Sequence, residues 1–351
     1  MQNIYDLTLQ ELEQFCTPSY RAKQIYSWLY HHYIDDFDAM NNLSKDFRQT
    51  LKTTFQLQRP KIITTQHSKD GSKKYLFQTH DLHNFESVLL KMRESQNDET
   101  GKIIQEERWT LCVSSQIGCK VGCAFCLTAK SGFVRNLSAG EIVSQVVSVK
   151  KANQIPPQKR LNIVFMGMGE PLDNFDEVIK AIQILANKDG LSISPKRQTI
   201  STSGIAPKIK KLGELNLGVQ LALSLHAVTD ELRSKLIPMN KAYNIQEVIS
   251  TLKKFPINSR KRLMFEYLMI AGVNDDIKSA QSLLKLLNGF KAKVNLILFN
   301  PYENSQFQRP SEKNVRSFQE FLMQKGLLCT IRESKGLDIS AACGQLREQN
   351  L

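Results

Sequence analysis

From Trp109 onward, apolar segments of strand length alternate with amphipathic segments of helix length, and that alternation leaves few architectures open. The strand candidates are RWTLCVSS, LNIVFMG, RQTISTS, VQLALSLHA, RLMFEYLMIAG, KVNLILFNP and LLCTIRES. Helical stretches lie between them, such as SAGEIVSQVVSVKKA, which opens with Ser138 and Glu141 at capping-box spacing. Strand, helix and strand in succession make parallel β/α units. Six or so units are too few to close an eight-fold barrel, so the chain is expected to be an α/β protein built on an open, partial (β/α)6 barrel. In such folds chemistry gathers at the C-terminal ends of the strands. The polar motifs SSQIGC, GMGEP, STSG, SLH and NPY each fall there.

The residues before this core have a different texture. Residues 1–60 read as a small helical accessory domain. Ile25, Trp28, Leu29 and Tyr33 recur at helical spacing, and Ser44 is placed as an N-cap. Residues 61–104 read as a strand-rich connector of two or three strands, from KKYLFQT and NFESVLLKM, ending in RESQNDETGK as an exposed loop or insertion. The core then occupies residues 105–351. Lys and Arg number 47 against 34 Asp and Glu, a net charge of +13. That surplus favours an anionic partner, nucleic acid above all, with SKDGSKK, SPKR and NSRKR as basic stretches and the helical domain as the grip. No apolar run approaches the ~20 residues of a membrane span, and the first residues lack a secretory pattern. The expectation is a cytoplasmic chain with no membrane contact, monomeric by default.

Seven cysteines occur, at positions 16, 112, 119, 123, 126, 329 and 343. In a reducing compartment they are not expected to form structural disulfides. Cys16 and Cys329 lie in apolar surroundings and read as buried, inert thiols. Cys119, Cys123 and Cys126 form CKVGCAFC, one ligand short of a closed four-ligand site. A structural zinc would need Cys112, Cys343 or His226 as its fourth ligand, since no second ligand pair exists. Three thiolates can instead hold three irons of a [4Fe–4S] cluster and leave the fourth iron to an exchangeable ligand. S-adenosylmethionine can fill that position, and one-electron reduction then splits its sulfonium to give a carbon radical.

CKVGCAFC, with Phe125 before the last cysteine, resembles the radical SAM signature. Taken with LCVSSQIGCKVGCAFCLTAKSGFVRNLSAGEI, FMGMGEPLDN, TISTSG, LSLHA, FNPY and AACGQL, the chain resembles the ribosomal RNA adenine methyltransferases of the RlmN and Cfr type, from about Arg21 to Leu346. The resemblance implies a radical SAM barrel and two S-adenosylmethionine molecules per turnover. It makes Cys343 the carrier of a methyl group and Cys112 the thiol that releases the product through a transient disulfide. By residues alone, Cys343 reads equally as a structural thiol, because DISAACGQL brings no charged group beside it. Glu86 in FESVLL matches the family's base. The stretch from Glu86 to Cys112 is longer than expected, which keeps Glu99, Glu106 and Glu107 as alternatives. Gly169, Glu170, Ser201, Ser224, Leu225, His226 and Asn300 match contacts to S-adenosylmethionine.

The resemblance also implies a substrate: C2 of adenosine 2503 in 23S rRNA, with C2 of adenosine 37 in tRNAs as a second. The base must be swung out of its stack to reach such a site. A reducing protein such as flavodoxin is the expected electron donor. C8-specific enzymes are the nearest alternative, and Pro171 in GMGEPLDN points to the C2 group. A zinc-binding RNA-binding protein without activity is the alternative of another class.

Overall fold

The computed structural model describes residues 1–98, 103–257 and 261–346. Three short helices come first: α1 (Leu9–Phe15), α2 (Tyr20–Tyr30) and α3 (Lys45–Thr54). Thr8 and Glu11 close a capping box on α1, and the Ser44 hydroxyl accepts the Phe47 N–H at 3.3 Å, as its N-cap reading requires. Ile25 and Leu29 turn into the core, whereas Trp28 stays half-buried and donates its ring N–H to Asn42.

Ten strands form one sheet: β1 (Lys61–His67), β2 (Lys73–Gln78), β3 (Asn84–Arg93), β4 (Arg108–Cys112), β5 (Leu161–Phe165), β6 (Gln198–Thr202), β7 (Gln220–Ser224), β8 (Leu263–Met269), β9 (Ala292–Leu298) and β10 (Leu328–Arg332). Their order across the sheet is the order of the chain. Strands β4 to β10 are all parallel, as the alternating pattern predicts. Strands β1 to β3 add an antiparallel extension, joined to β4 by β3. The strand-rich connector therefore continues the barrel sheet. RESQNDETGK is more than the loop expected of it, because Gln96–Asn97 pairs with Ile103–Gln105 in a short antiparallel ribbon.

Helices pack outside the parallel strands: α4 (Ala139–Ala152), α5 (Phe175–Ala186), α6 (Ala206–Leu215), α7 (Asp230–Leu236), α8 (Ile245–Lys253), α9 (Ile277–Leu286) and α10 (Glu312–Gln324). The capping box predicted at Ser138 and Glu141 is present, with both bonds made. Ile142, Val143, Val146, Val147 and Val149 of α4 are fully buried, worth about 1.5–3 kcal/mol each. The helical domain covers the outside of α4. Gly140 N–H donates to the Asp6 carboxylate at 2.6 Å, and a Cβ at Gly140 would sit 2.6 Å from the same oxygen. Lys180–Glu11, at 2.8 Å, adds a contact to α5.

Candidate active site

Strand β4 delivers the chain into the cysteine loop. Beyond Cys112, Gln116–Gly118 pairs with Phe133–Asn136 in a small ribbon. Gly118 has φ +73, and a Cβ there would lie 2.0 Å from the Gly132 carbonyl, so only glycine permits this approach. Cys119 N–H then donates to Gly132 at 2.7 Å, and Cys126 N–H closes on the Cys123 carbonyl at 3.1 Å. The three thiols line one cleft of about 880 Å³ above the ends of the parallel strands.

Among the described residues, no three His, Cys, Asp or Glu side chains converge closely enough to hold a single metal ion. Three thiols that share one cleft can serve as the cysteine ligands of an iron–sulfur cluster. Burial pushes the Cys119 thiol up to about 12 and raises Cys123 and Cys126. A strongly positive ligand is what holds such groups as thiolates.

The rest of the cleft is made of strand ends. Gly169 has φ +102, and a Cβ would meet Gln116 Cβ at 2.6 Å. Glu170 beside it is buried, which raises its carboxyl. Its oxygens accept the Ser203 N–H at 2.7 Å and the Leu172 N–H at 3.1 Å, so it ties the end of β5 to the end of β6. Ser201 and Ser224 face each other at 3.4 Å. His226 has φ +58. Its Nδ1 accepts the Leu268 N–H at 3.1 Å, which leaves the proton on Nε2. Burial, with Arg233 nearby, lowers His226 to about 3, so the ring is neutral. Phe125 meets it edge-on at 5.0 Å. Two buried oxygens of the cleft, Glu266 Oε2 and Ser203 Oγ, have no partner among the described residues. A ligand rich in hydroxyl and amino groups, such as S-adenosylmethionine, matches that lining.

A second, smaller cavity adjoins the first and is lined by Leu90, Met92 and Cys112. Cys343, Arg332, Met166, Ile297 and Leu346 line both. Cys343 is exposed and stands where the two meet, whereas Cys112 is buried and burial pushes its thiol up to about 12. Arg332 donates toward Met166 Sδ at 3.4 Å. Cys343, followed by Glu266 and Cys112, holds its guanidinium above the ordinary value against its own burial.

Glu86 lies on the same inner face. Val88 is the cross-strand partner of Cys112, and because β3 runs against β4, Glu86 lies one step further toward the loops. It is 4% exposed and forms an ion pair with Lys74 at 3.0 Å. Its place is therefore not the surface of a strand. Glu106 and Glu107 precede β4 at the opposite end from the cysteine loop, where Glu107 faces Lys159 at 3.7 Å. Glu99 lies outside the described residues.

Two matched positions do not line the cleft. The Leu225 side chain is buried in the core, and its carbonyl accepts from Arg233. The Asn300 amide is held by Ser334 at 2.9 Å and Arg309 at 2.7 Å. Sequence reasoning missed Arg332, Glu266, Lys74 and Arg233. Arg332 and Glu266 lay in recognised strand candidates, and the strand-end rule alone would have flagged Arg332. SKDGSKK, expected as a basic stretch for an anionic partner, turns its last two lysines to other partners: Lys74 is buried against Glu86, and Lys73 reaches Asn153 at 2.7 Å. NSRKR lies partly outside the described residues.

The geometry can be set beside known proteins. Residues 2–57 match the family described as ribosomal RNA large subunit methyltransferase N-terminal domain, and residues 113–284 match the radical SAM superfamily. A curated protein of Wolinella succinogenes, "Dual-specificity RNA methyltransferase RlmN", is 65% identical over 99% of this chain and 97% of its own length. One of the same name from Nitratiruptor is 62% identical over 100% and 99%. The chain belongs to the RlmN family. The crystal structure of a radical SAM methyltransferase from Sphaerobacter thermophilus has the same fold, with TM-score 0.89, 40% identity and 99% of each chain covered. As an RlmN-family enzyme the chain is a radical SAM methyltransferase using one [4Fe–4S] cluster and S-adenosylmethionine. Among the described residues, no helix is long and apolar enough to cross a membrane.

Proposed function

We propose that this chain methylates C2 of adenosine 2503 in 23S rRNA and C2 of adenosine 37 in tRNAs, by way of a methyl group carried on Cys343. The observation that carries this reading is the place of Cys343, open at once to the cleft of the three cluster cysteines and to the cavity of Cys112. The curated relatives, named as dual-specificity RNA methyltransferases of RlmN type, support RNA as the substrate and weigh against the C8-specific alternative.

On this reading Cys119, Cys123 and Cys126 hold the cluster. Gly169, Glu170, Ser201, Ser224 and His226 line the cleft for S-adenosylmethionine, and Leu225 and Asn300, which do not line it, stand just past the strand ends that frame it. When bound, the cluster and S-adenosylmethionine supply an electron, an activated methyl group and a carbon radical. Cys343 takes the methyl as a thiolate, its sulfur forming the new S–C bond as the sulfonium bond breaks. Arg332 lines the same two cavities as Cys343 and brings there the positive charge that DISAACGQL lacks. Cys343 then presents the methyl-derived carbon to the adenine ring. Glu86 accepts the ring proton, and Lys74 holds the Glu86 carboxylate in place. Cys112 closes the cycle as its thiolate attacks the Cys343 sulfur: the disulfide forms, the bond from that sulfur to the methyl-derived carbon breaks, and the electron pair left on the carbon takes up a proton to give the methylated base. The reaction belongs in the cytoplasm, where a reducing protein of flavodoxin type returns the electrons.

Mass spectrometry of nuclease-digested rRNA and tRNA, from cells with and without the gene, tests the assignment. 2-Methyladenosine that disappears with the gene supports it, and 8-methyladenosine in its place sinks the C2 claim.

A further inference from the structure

Cys343 sits on a loop held at both ends. Downstream, Leu127 N–H donates to the Gly344 carbonyl at 2.8 Å, and the Thr128 hydroxyl donates to the Leu346 carbonyl at 2.6 Å. These residues follow the third cluster cysteine directly. Upstream, the holding group comes from outside the parallel barrel, from the turn between β1 and β2. The Ser68 hydroxyl donates to Asp338 Oδ1 at 2.6 Å, and Lys69 N–H donates to Asp338 Oδ2 at 3.0 Å. In return Gly336 N–H donates to Asp70 Oδ2 at 2.8 Å. Each side contributes one carboxylate and receives hydrogen bonds from the other. The Asp70 Oδ1 atom accepts the Ser72 N–H at 2.9 Å, so its own turn is braced as well. The held segment is stiff, because Ala341 N–H closes on the Gly336 carbonyl at 2.9 Å and Gly336 adopts φ +65.

Resting on the reading of Cys343 as the methyl carrier, we infer that the Ser68–Asp70 turn is a latch and that Asp338 and Asp70 are positioning residues for Cys343. One sulfur must serve two chemistries in adjoining cavities, and its rate in each follows how much of its time is spent at their junction. A loop fixed only at Gly344 would spread that sulfur over a larger volume. The latch removes the freedom at the other end. A plain surface turn would account for the same bonds, but it would have no effect on the chemistry of Cys343.

The test uses the full chain with its cluster in place, under anaerobic conditions. Methyl on the Cys343 peptide is followed by mass spectrometry after S-adenosylmethionine is added, for the natural protein, Asp338→Ala, Asp338→Asn and Ser68→Ala. Loss of one or two exposed hydrogen bonds that favour one loop position is expected to slow methyl uptake in Asp338→Ala roughly five- to tenfold. Asp338→Asn keeps one acceptor oxygen and falls between, and Ser68→Ala loses least. Iron content and the thermal midpoint stay at natural values, because Asp338 is exposed. Faster alkylation of Cys343 by iodoacetamide in Asp338→Ala is the second expected sign. Methyl uptake at the natural rate in Asp338→Ala overturns the latch. No methyl on Cys343 in the natural protein overturns the relay reading itself, and the latch with it.

Discussion

The parallel and antiparallel parts of the sheet present their chemistry in different ways. In β4 to β10 the working residues stand at or just past the strand ends, as with Ser201, Ser224, His226 and Arg332. Parallel strands all point the same way, so their C-terminal ends make one rim. In the extension the working residues lie inside strands, with Lys74 second in β2 and Glu86 third in β3. Strand β3 enters from the rim that β4 leaves by, so its first residues face the loops. A rule about strand ends therefore reads the parallel half and misreads the other unless strand direction is known.

Breaking the junction residue gives the largest expected effect. Cys343→Ala lowers RNA methylation at least about 10³-fold while iron stays bound. Cys119→Ala instead loses the iron as well as the activity. Retained methylation in Cys343→Ala would remove the parallel half's claim to the chemistry. In the antiparallel half, Glu86→Gln is expected to cost about 10²- to 10⁴-fold in rate. Lys74→Met takes the ammonium from beside a buried carboxylate, and a loss of about 3 kcal/mol in urea unfolding is expected. A paired Glu86→Leu, Lys74→Met variant that regains stability but not activity would separate the two roles. Gly169→Ala forces a side chain into φ +102 and into Gln116. It should cost about 1–3 kcal/mol and raise the KM for S-adenosylmethionine. The smallest effect belongs to Cys329→Ala, near the start of β10 at the end away from the cysteine loop and buried in the core. It should leave the rate within about twofold and cost about 1 kcal/mol.

Legibility followed the same divide. CKVGCAFC, the strand-end motifs and the Ser138 capping box were readable because each is a local pattern with a local physical cause. The strand-end rule could place Arg332 on the rim but not give its meaning, which comes from Cys112 and Cys343, residues brought beside it only by the fold. Lys74 looked like a surface lysine in a basic stretch. Its alternation with Tyr75 and Phe77 put it on the inner face, but only the pairing of β2 with β3 shows that a carboxylate waits there. Leu225 and Asn300 fit a family pattern, but the Leu225 side chain packs in the core and the Asn300 amide is taken up by the Ser334 and Arg309 side chains. The direction of β3 puts Glu86 near the rim that β4 leaves by, whereas Glu106 and Glu107 precede β4 at its other end, a difference that no spacing encodes.

The order of strands in the sheet also sets an order in time. Each strand after β1 joins the edge made by the strand before it, so pairing proceeds through neighbours in the chain. The contact from Ser68 to Asp338 spans 270 residues. Bringing such distant points together carries the greatest loop-closure entropy, so it forms efficiently only once the intervening strands have shortened the path. The Ser68–Asp338 contact is thus among the last that the fold can close, and the loop of Cys343 reaches its station only after the sheet is built.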